Sequence, residues 1–516
     1  MTNILIGVGG TGAKVVEAAM MMVAAGLGPR ELHVGLVDQD NSNGNVARTK
    51  QLINDYRQVR HAWSGPVPAA VIDWRGDGEA AEPLEFCRTE VFDLFEDGPV
   101  WCPGEDQTTL RNMIGQNFLS EPQKDLFDLL FMPGEEEQDL QLGEGYRGRA
   151  HVGAAALIAR LTDRHNPLSA RMTDLMAGSG GTERVNIFIV GSAFGGTGAA
   201  GFPTIARELH RIRSAKEFTN KNQVRIGGTL MLPYFDFAQP KEDQRSKVVT
   251  ADELLPKAQL ALEHYDNLFD TEKTFDRFYI VGWDRFFHLR YHSAGNAEQR
   301  NPPLLPELFG AAAAIDFMVP RKDQPRGEGV PILISARAGE HVRWSDLPIE
   351  GAEAKIGQLL RFALYWRYHV AQLVEQKKPL LGKGNWTHQL RQKVRKEEAV
   401  TALQLLNQLI DRILLYAASM EASAPEDWDV GPWRLGKLTD PSHHPEPSDP
   451  VRLLHGHPEA TAIFGAAIRG NDAQPYARDA AAVFQELETE PERLAAGSHR
   501  GFGRVVAAAY RASRLR

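Results

Sequence analysis

The stretch "SAFGGTGAAGF", Ser192–Phe202, decides how this chain reads. It follows the apolar run "RVNIFIV", Arg184–Val190, and leads into "AAGFPTIARELHRIR", Ala199–Arg213, whose apolar residues recur at helical spacing. The order is buried strand, glycine turn, helix. Glycine lets backbone approach a phosphate closely, and a helix N-terminus offers free N–H groups and the positive end of a dipole.

A second loop of this kind lies near the start: "GVGGTGAK", Gly7–Lys14, after the strand-like "NILI". It fits G-x-G-x-x-G, and Asp38 closes the next strand-like run, "ELHVGLVD", where such folds use an acid on a ribose hydroxyl. That loop alone leaves three readings: a nicotinamide or flavin site, an ATP-adenylating enzyme, or another nucleotide fold. "LVDQDNSNGNVAR" is similar to the acid–acid–Asn–Arg run of ubiquitin-activating-type enzymes, but neither Cys87 nor Cys102 has the setting of a catalytic thiol. A dinucleotide fold has no need of the second loop. Two glycine loops at the carboxyl ends of strands in one sheet grip one polyphosphate from both sides.

The chain has 516 residues and a formal net charge of -9, which argues against a dedicated nucleic-acid binder. Two cysteines outside any C-x-x-C pair exclude a disulfide scaffold or a structural zinc site and fit a reducing cytoplasm. No signal-type segment opens the sequence, and "AAMMMVAAGLG" is too short to span a bilayer. The expectation is a cytoplasmic α/β protein.

Residues 1–350 alternate strands and helices and predict a parallel sheet covered by helices. The pattern is irregular over about 56–148, where "FMPGEEEQDLQLGEG" reads as a solvated acidic loop. Residues 351–516 read as a mainly helical C-terminal domain, with a Pro-rich linker at "PEDWDVGPW" through "HHPEPSDP".

Taken together, the paired loops resemble the tubulin/FtsZ superfamily, and in particular its divergent bacterial tubulin-like members. The resemblance rests on Gly195, Gly196, Thr197 and Gly198 after a strand, and on Gly7, Gly9, Gly10, Thr11 and Gly12 in the opening loop. Phe194 and Ala200 stand where that family places small residues and a closing glycine. The resemblance implies GTP/GDP with Mg²⁺, the two loops holding the phosphates. It implies further contacts from Asp38 and Asp40, and from Arg147, Gly148 and Arg149 in "YRGRAHVGAAAL", with His151 beside them. Tyr234 and Asp236 in "TLMLPYFDF" would meet the sugar, and Phe309 in "PELFGAAAAIDFM" the purine, with Ala313 where a guanine-reading asparagine is usual.

It also implies self-association into protofilaments or a smaller oligomer, with slow GTP hydrolysis completed by an acid from the next subunit. Asp346 in "EHVRWSDLP" is the candidate and Glu340 its reserve. His341 and Arg343 stand where acids are usual, and Ser345–Asp346 also fits a helix N-cap. A non-catalytic, nucleotide-gated scaffold that recruits a protein partner through its helical C-terminal region is the alternative. An NAD-binding or adenylating enzyme is another. His443, His444, His455 and His457 read as loop histidines rather than a metal site, and Arg500, Arg504, Arg511, Arg514 and Arg516 as a solvated basic face.

Overall fold

The computed structural model describes residues 1–40, 42–64, 84–104, 108–163, 165–177, 183–215, 221–237, 253–283, 286–289, 299–319, 344–375, 386–390, 396–423, 480–496 and 502–514. Glu340, His341, Arg343, the four histidines at 443–457, Arg500, Arg516 and the Pro-rich linker lie outside them.

The opening strand β1 (Thr2–Val8) runs into helix α1 (Gly9–Ala24). Next come β2 (Glu31–Val37), α2 (Gly44–Ser64), β3 (Glu90–Asp93) and β4 (Val100–Trp101). A helical stretch follows: α3 (Leu110–Ile114), α4 (Glu121–Leu130), α5 (Ala150–Thr162) and α6 (Pro167–Ala177). The second glycine loop joins β5 (Val185–Ser192) to α7 (Gly196–Ser214). The remainder of the α/β region is β6 (Val224–Met231), β7 (Phe235–Phe237), α8 (Leu254–Glu272), β8 (Arg277–Val281), β9 (Phe287–Leu289) and α9 (Leu305–Met318).

The main sheet is seven-stranded, in the order β3-β2-β1-β5-β6-β8, with β4 also beside β2. Every pair in it is parallel. The chain therefore winds outward from β1 through β2 to β3, returns to the other side of β1, and winds outward again. Strand order reverses between β1 and β5, and a crevice opens there at the carboxyl edge of the sheet.

Side-chain alternation along β1 divides two cores. Leu5 joins the cluster under α1, α2 and α9, whereas Ile4, Ile6 and Val8 join the one under α6, α7 and α8. This makes a parallel sheet covered by helices on both faces, as expected. Helix α7 carries Pro203, which cannot donate to the Ala199 carbonyl one turn back. The Tyr265 hydroxyl of α8 donates to that carbonyl instead.

The stretch expected to be irregular is partly regular. Helix α2 runs past Tyr56 to Ser64, because Leu52, Ile53, Tyr56, Val59 and Trp63 form one buried helical stripe. Strands β3 and β4 extend the main sheet. The acidic loop is not wholly solvated: Glu137 is buried, and it binds His151 at 2.8 Å and Arg149 at 3.8 Å.

Beyond residue 351 the described elements are helical. They are α10 (Ala352–Tyr365), continuing through a π-turn (Trp366–Val370) into α11 (Ala371–Glu375), then α12 (Trp386–Leu390), α13 (Lys396–Ala422) and the helices Ala480–Thr489, Pro491–Leu494 and Phe502–Ala512. They share the core under α1, α2 and α9. The Trp63 indole donates to the Ala402 carbonyl at 3.2 Å, and Phe86 packs against both Phe362 and Tyr510. Among the described residues, no helix is long and apolar enough to cross a membrane.

Candidate site at the carboxyl edge of the sheet

The two glycine loops follow adjacent parallel strands, so they meet at the crevice. A Cβ added at Gly9, whose φ is +73°, would lie 2.9 Å from the Gly198 amide nitrogen. A Cβ at Gly198 would lie 2.5 Å from the Ser192 hydroxyl. Backbone lies against backbone here because no side chain intervenes.

Both loops open helices. The first amides of α1 and α7 have no partner within their own helix, and among the described residues no side-chain hydrogen bond caps either start. Gly195 precedes α7 with φ +83°, and a Cβ there would meet nothing within 4 Å. Space and uncapped amides coincide at that point.

The carboxyl end of β2 supplies acids and amides. The Asp38 carboxylate accepts from Thr197 Oγ1 at 2.9 Å, from the Asp40 amide at 3.3 Å and from Asn43 Nδ2 at 3.4 Å. Thr197 thus ties β2 to the second loop. Burial pushes the Asp38 carboxyl up to about 7, against the hydrogen bond from Thr197 that favours its charged form. Asp40 accepts from the Ser42 amide and hydroxyl at 3.0 and 2.7 Å. Asn43 and Asn45 stand over Gly10, their amide nitrogens 3.2 and 3.6 Å from the position of a Cβ there.

The segment before α5 closes the other side. Tyr146 Cβ and the Gly148 amide lie 2.8 and 3.1 Å from where a Cβ on Gly196 would sit. Tyr146 donates to Gln39 Oε1 at 3.2 Å. Arg147 adopts φ +43° between Gly145 at +80° and Gly148 at +74°, a left-handed backbone that a non-glycine residue seldom takes. Arg147 is half-buried, and buried Glu137 tethers Arg149.

One contact set therefore unites Gly9, Gly10, Asp38, Asp40, Gly148, Gly196, Thr197 and Gly198, with Thr11, Gly12, Arg147, Arg149 and Gly195 on the same loops. Tyr234, Asp236, Phe309 and Asp346 sit differently. Tyr234 is fully buried, and its hydroxyl donates to Glu307 Oε1 at 2.7 Å. Asp236 pairs with His288 at 2.5 Å across the small β7–β9 sheet. Phe309 is buried against Trp283, with ring centres 5.8 Å apart. Asp346 belongs to the 3₁₀ turn Trp344–Asp346, beside buried Trp344 and Leu347.

Sequence reasoning missed Gln39, Asn43, Asn45 and Tyr146. The polar run "DQDNSNGN" directly after β2 was the available signal. It also missed Lys14, which is fully buried one turn into α1, with Nζ 2.5 Å from Glu307 Oε1. Burial pushes the Lys14 ammonium down, and Glu307 opposes this. Phe194, the odd flank of the second loop, packs edge-on against Tyr234 and Phe235.

No protein-family model matches the chain, and no curated protein matches it in sequence.

Proposed function

We propose that the protein binds a nucleotide by its phosphates between the Gly9–Gly12 and Gly195–Gly198 loops. The supporting observation is the contact of Gly9 with Gly198 across the point where strand order reverses. Two uncapped helix starts there give converging N–H donors for a polyphosphate. The open space above Gly195 accommodates an anion, and the Asn45 amide nitrogen, 3.6 Å from the position of a Cβ on Gly10, adds a side-chain donor.

On the resemblance to tubulin-like proteins, the nucleotide is GTP with Mg²⁺. Magnesium keeps several waters and binds through one or two carboxylates plus substrate phosphates. Asp38 and Asp40 are the carboxylates at hand. Self-association and slow, assembly-dependent GTP hydrolysis complete this reading, with Asp346 as the acid offered to a neighbouring copy.

A non-catalytic scaffold gated by nucleotide is the second reading. What favours it is that the C-terminal helices share the core beneath α1, the helix that the first loop opens.

The deciding experiment is to denature the purified protein and identify the nucleotide released, then titrate the stripped protein with GTP, ATP and NAD. Guanine nucleotide supports the proposal. NAD or AMP refutes the GTP reading in favour of a dinucleotide or adenylating enzyme; dinucleotide-binding folds use sheets wound in this way. Phosphate release per subunit that rises with protein concentration separates the GTPase from the scaffold.

A further inference from the structure

Helix α4 and its flanks carry an apolar stripe with nothing packed on it among the described residues. Phe118 is 95% exposed and Leu129 81%, and Leu126, Leu130 and Met132 are each more than half exposed. Leu126, Leu129 and Leu130 have the i, i+3, i+4 spacing of one helix face. Only Phe127 of this helix turns inward, packing with Phe131 at 5.2 Å between ring centres. Exposed apolar side chains grouped on one helix face and rimmed by polar residues mark an interaction surface.

The rim decides what covers it. Around it stand the exposed acids Glu121, Asp125, Asp128 and Glu136, against one base, Lys124. Lys124 is already paired with Glu121 at 2.8 Å. A second copy docking α4 on α4 would set two acidic rims against each other, and an anionic membrane surface would be repelled. A helix-spaced seam of leucines takes a helix as its partner.

We infer that α4 docks an amphipathic helix of another protein, with an apolar face and a Lys/Arg rim. This surface belongs to the 56–148 region rather than the C-terminal helices, and it does not depend on the nucleotide reading.

The test uses the full chain and two fluorescent synthetic helices of equal length, one with a leucine face and lysine rim, the other with a leucine face and glutamate rim. Anisotropy should show saturable binding of the lysine peptide and binding of the glutamate peptide roughly tenfold or more weaker. The double variant L129K/L130K should lose roughly tenfold or more of the affinity for the lysine peptide. Both leucines point outward, so the variant should keep the wild-type circular dichroism. L260K, which charges an exposed leucine on α8, should bind as wild type does. Absence of lysine-peptide binding, or its persistence in L129K/L130K, overturns the inference. So does a dimer in sedimentation, or attachment to phosphatidylglycerol vesicles, that L129K/L130K abolishes.

Discussion

Asp38→Asn isolates the charge at the centre of the crevice. In the folded protein Asp38 is raised to about 7 from an ordinary 3.8, with burial as the main cause. Below pH 4 the folded and unfolded chains both hold this proton. Between pH 4 and 7 the unfolded chain has lost it while the folded one keeps it, so stability falls as pH rises. The loss is about 1.4 kcal/mol per pH unit while the folded group stays protonated, hence roughly 2 kcal/mol between pH 5 and 7, where the folded group is half titrated. This is an upper value, because the site relaxes around a charge. Above pH 7 the folded chain carries the buried carboxylate and the loss stops growing. Asparagine keeps an acceptor for Thr197 and has nothing to titrate.

Urea unfolding of the wild type and D38N, measured in parallel from pH 5 to 8, reads this directly. Other groups titrate in both proteins, so the quantity of interest is the difference between them. That difference should move in favour of D38N by roughly 2 kcal/mol from pH 5 to 7 and then level off. A difference that stays constant from pH 5 to 8 refutes the account of Asp38 as a buried acid held near neutrality.

Three other substitutions test neighbouring parts of the structure. Gly9→Ala places a Cβ 2.9 Å from the Gly198 amide at a φ of +73°; it should cost about 1–2 kcal/mol in backbone strain and weaken GTP binding in calorimetry by roughly tenfold or more. Lys14→Met leaves buried Glu307 without its cation and should cost roughly 3–5 kcal/mol in urea unfolding, most of it regained in K14M/E307Q. Tyr265→Phe removes the donor to the Ala199 carbonyl and should cost about 1–3 kcal/mol. P203A/Y265F should recover that loss, since alanine at 203 restores the helical N–H.

What the sequence disclosed and what it concealed differ in range. A glycine loop after an apolar run is local: "VNIFIVGS" and "NILIGV" each specify strand then turn within a few residues, and both turns lie where they were expected. That the turns touch follows from β1 and β5 being neighbours, a pairing of segments some 180 residues apart. Order along the chain also says nothing of which way a side chain points. Tyr234 follows β6 in the place expected for a sugar contact, yet a glutamate 73 residues later draws its hydroxyl inward. Glu137 looks like its neighbours in an acidic run, and it is buried because His151 and Arg149 converge on it. Phe194, an oddity when the loop is read alone, has a physical reason once Phe235 and Tyr234 are seen to flank it. The same interior links site and scaffold. Phe194 of the second loop packs on Tyr234, Tyr234 holds Glu307, and Glu307 holds Lys14 of α1, the helix that the first loop opens. Movement of either loop would disturb this buried ionic network, so loop position and the packing of α9 against α1 are energetically joined.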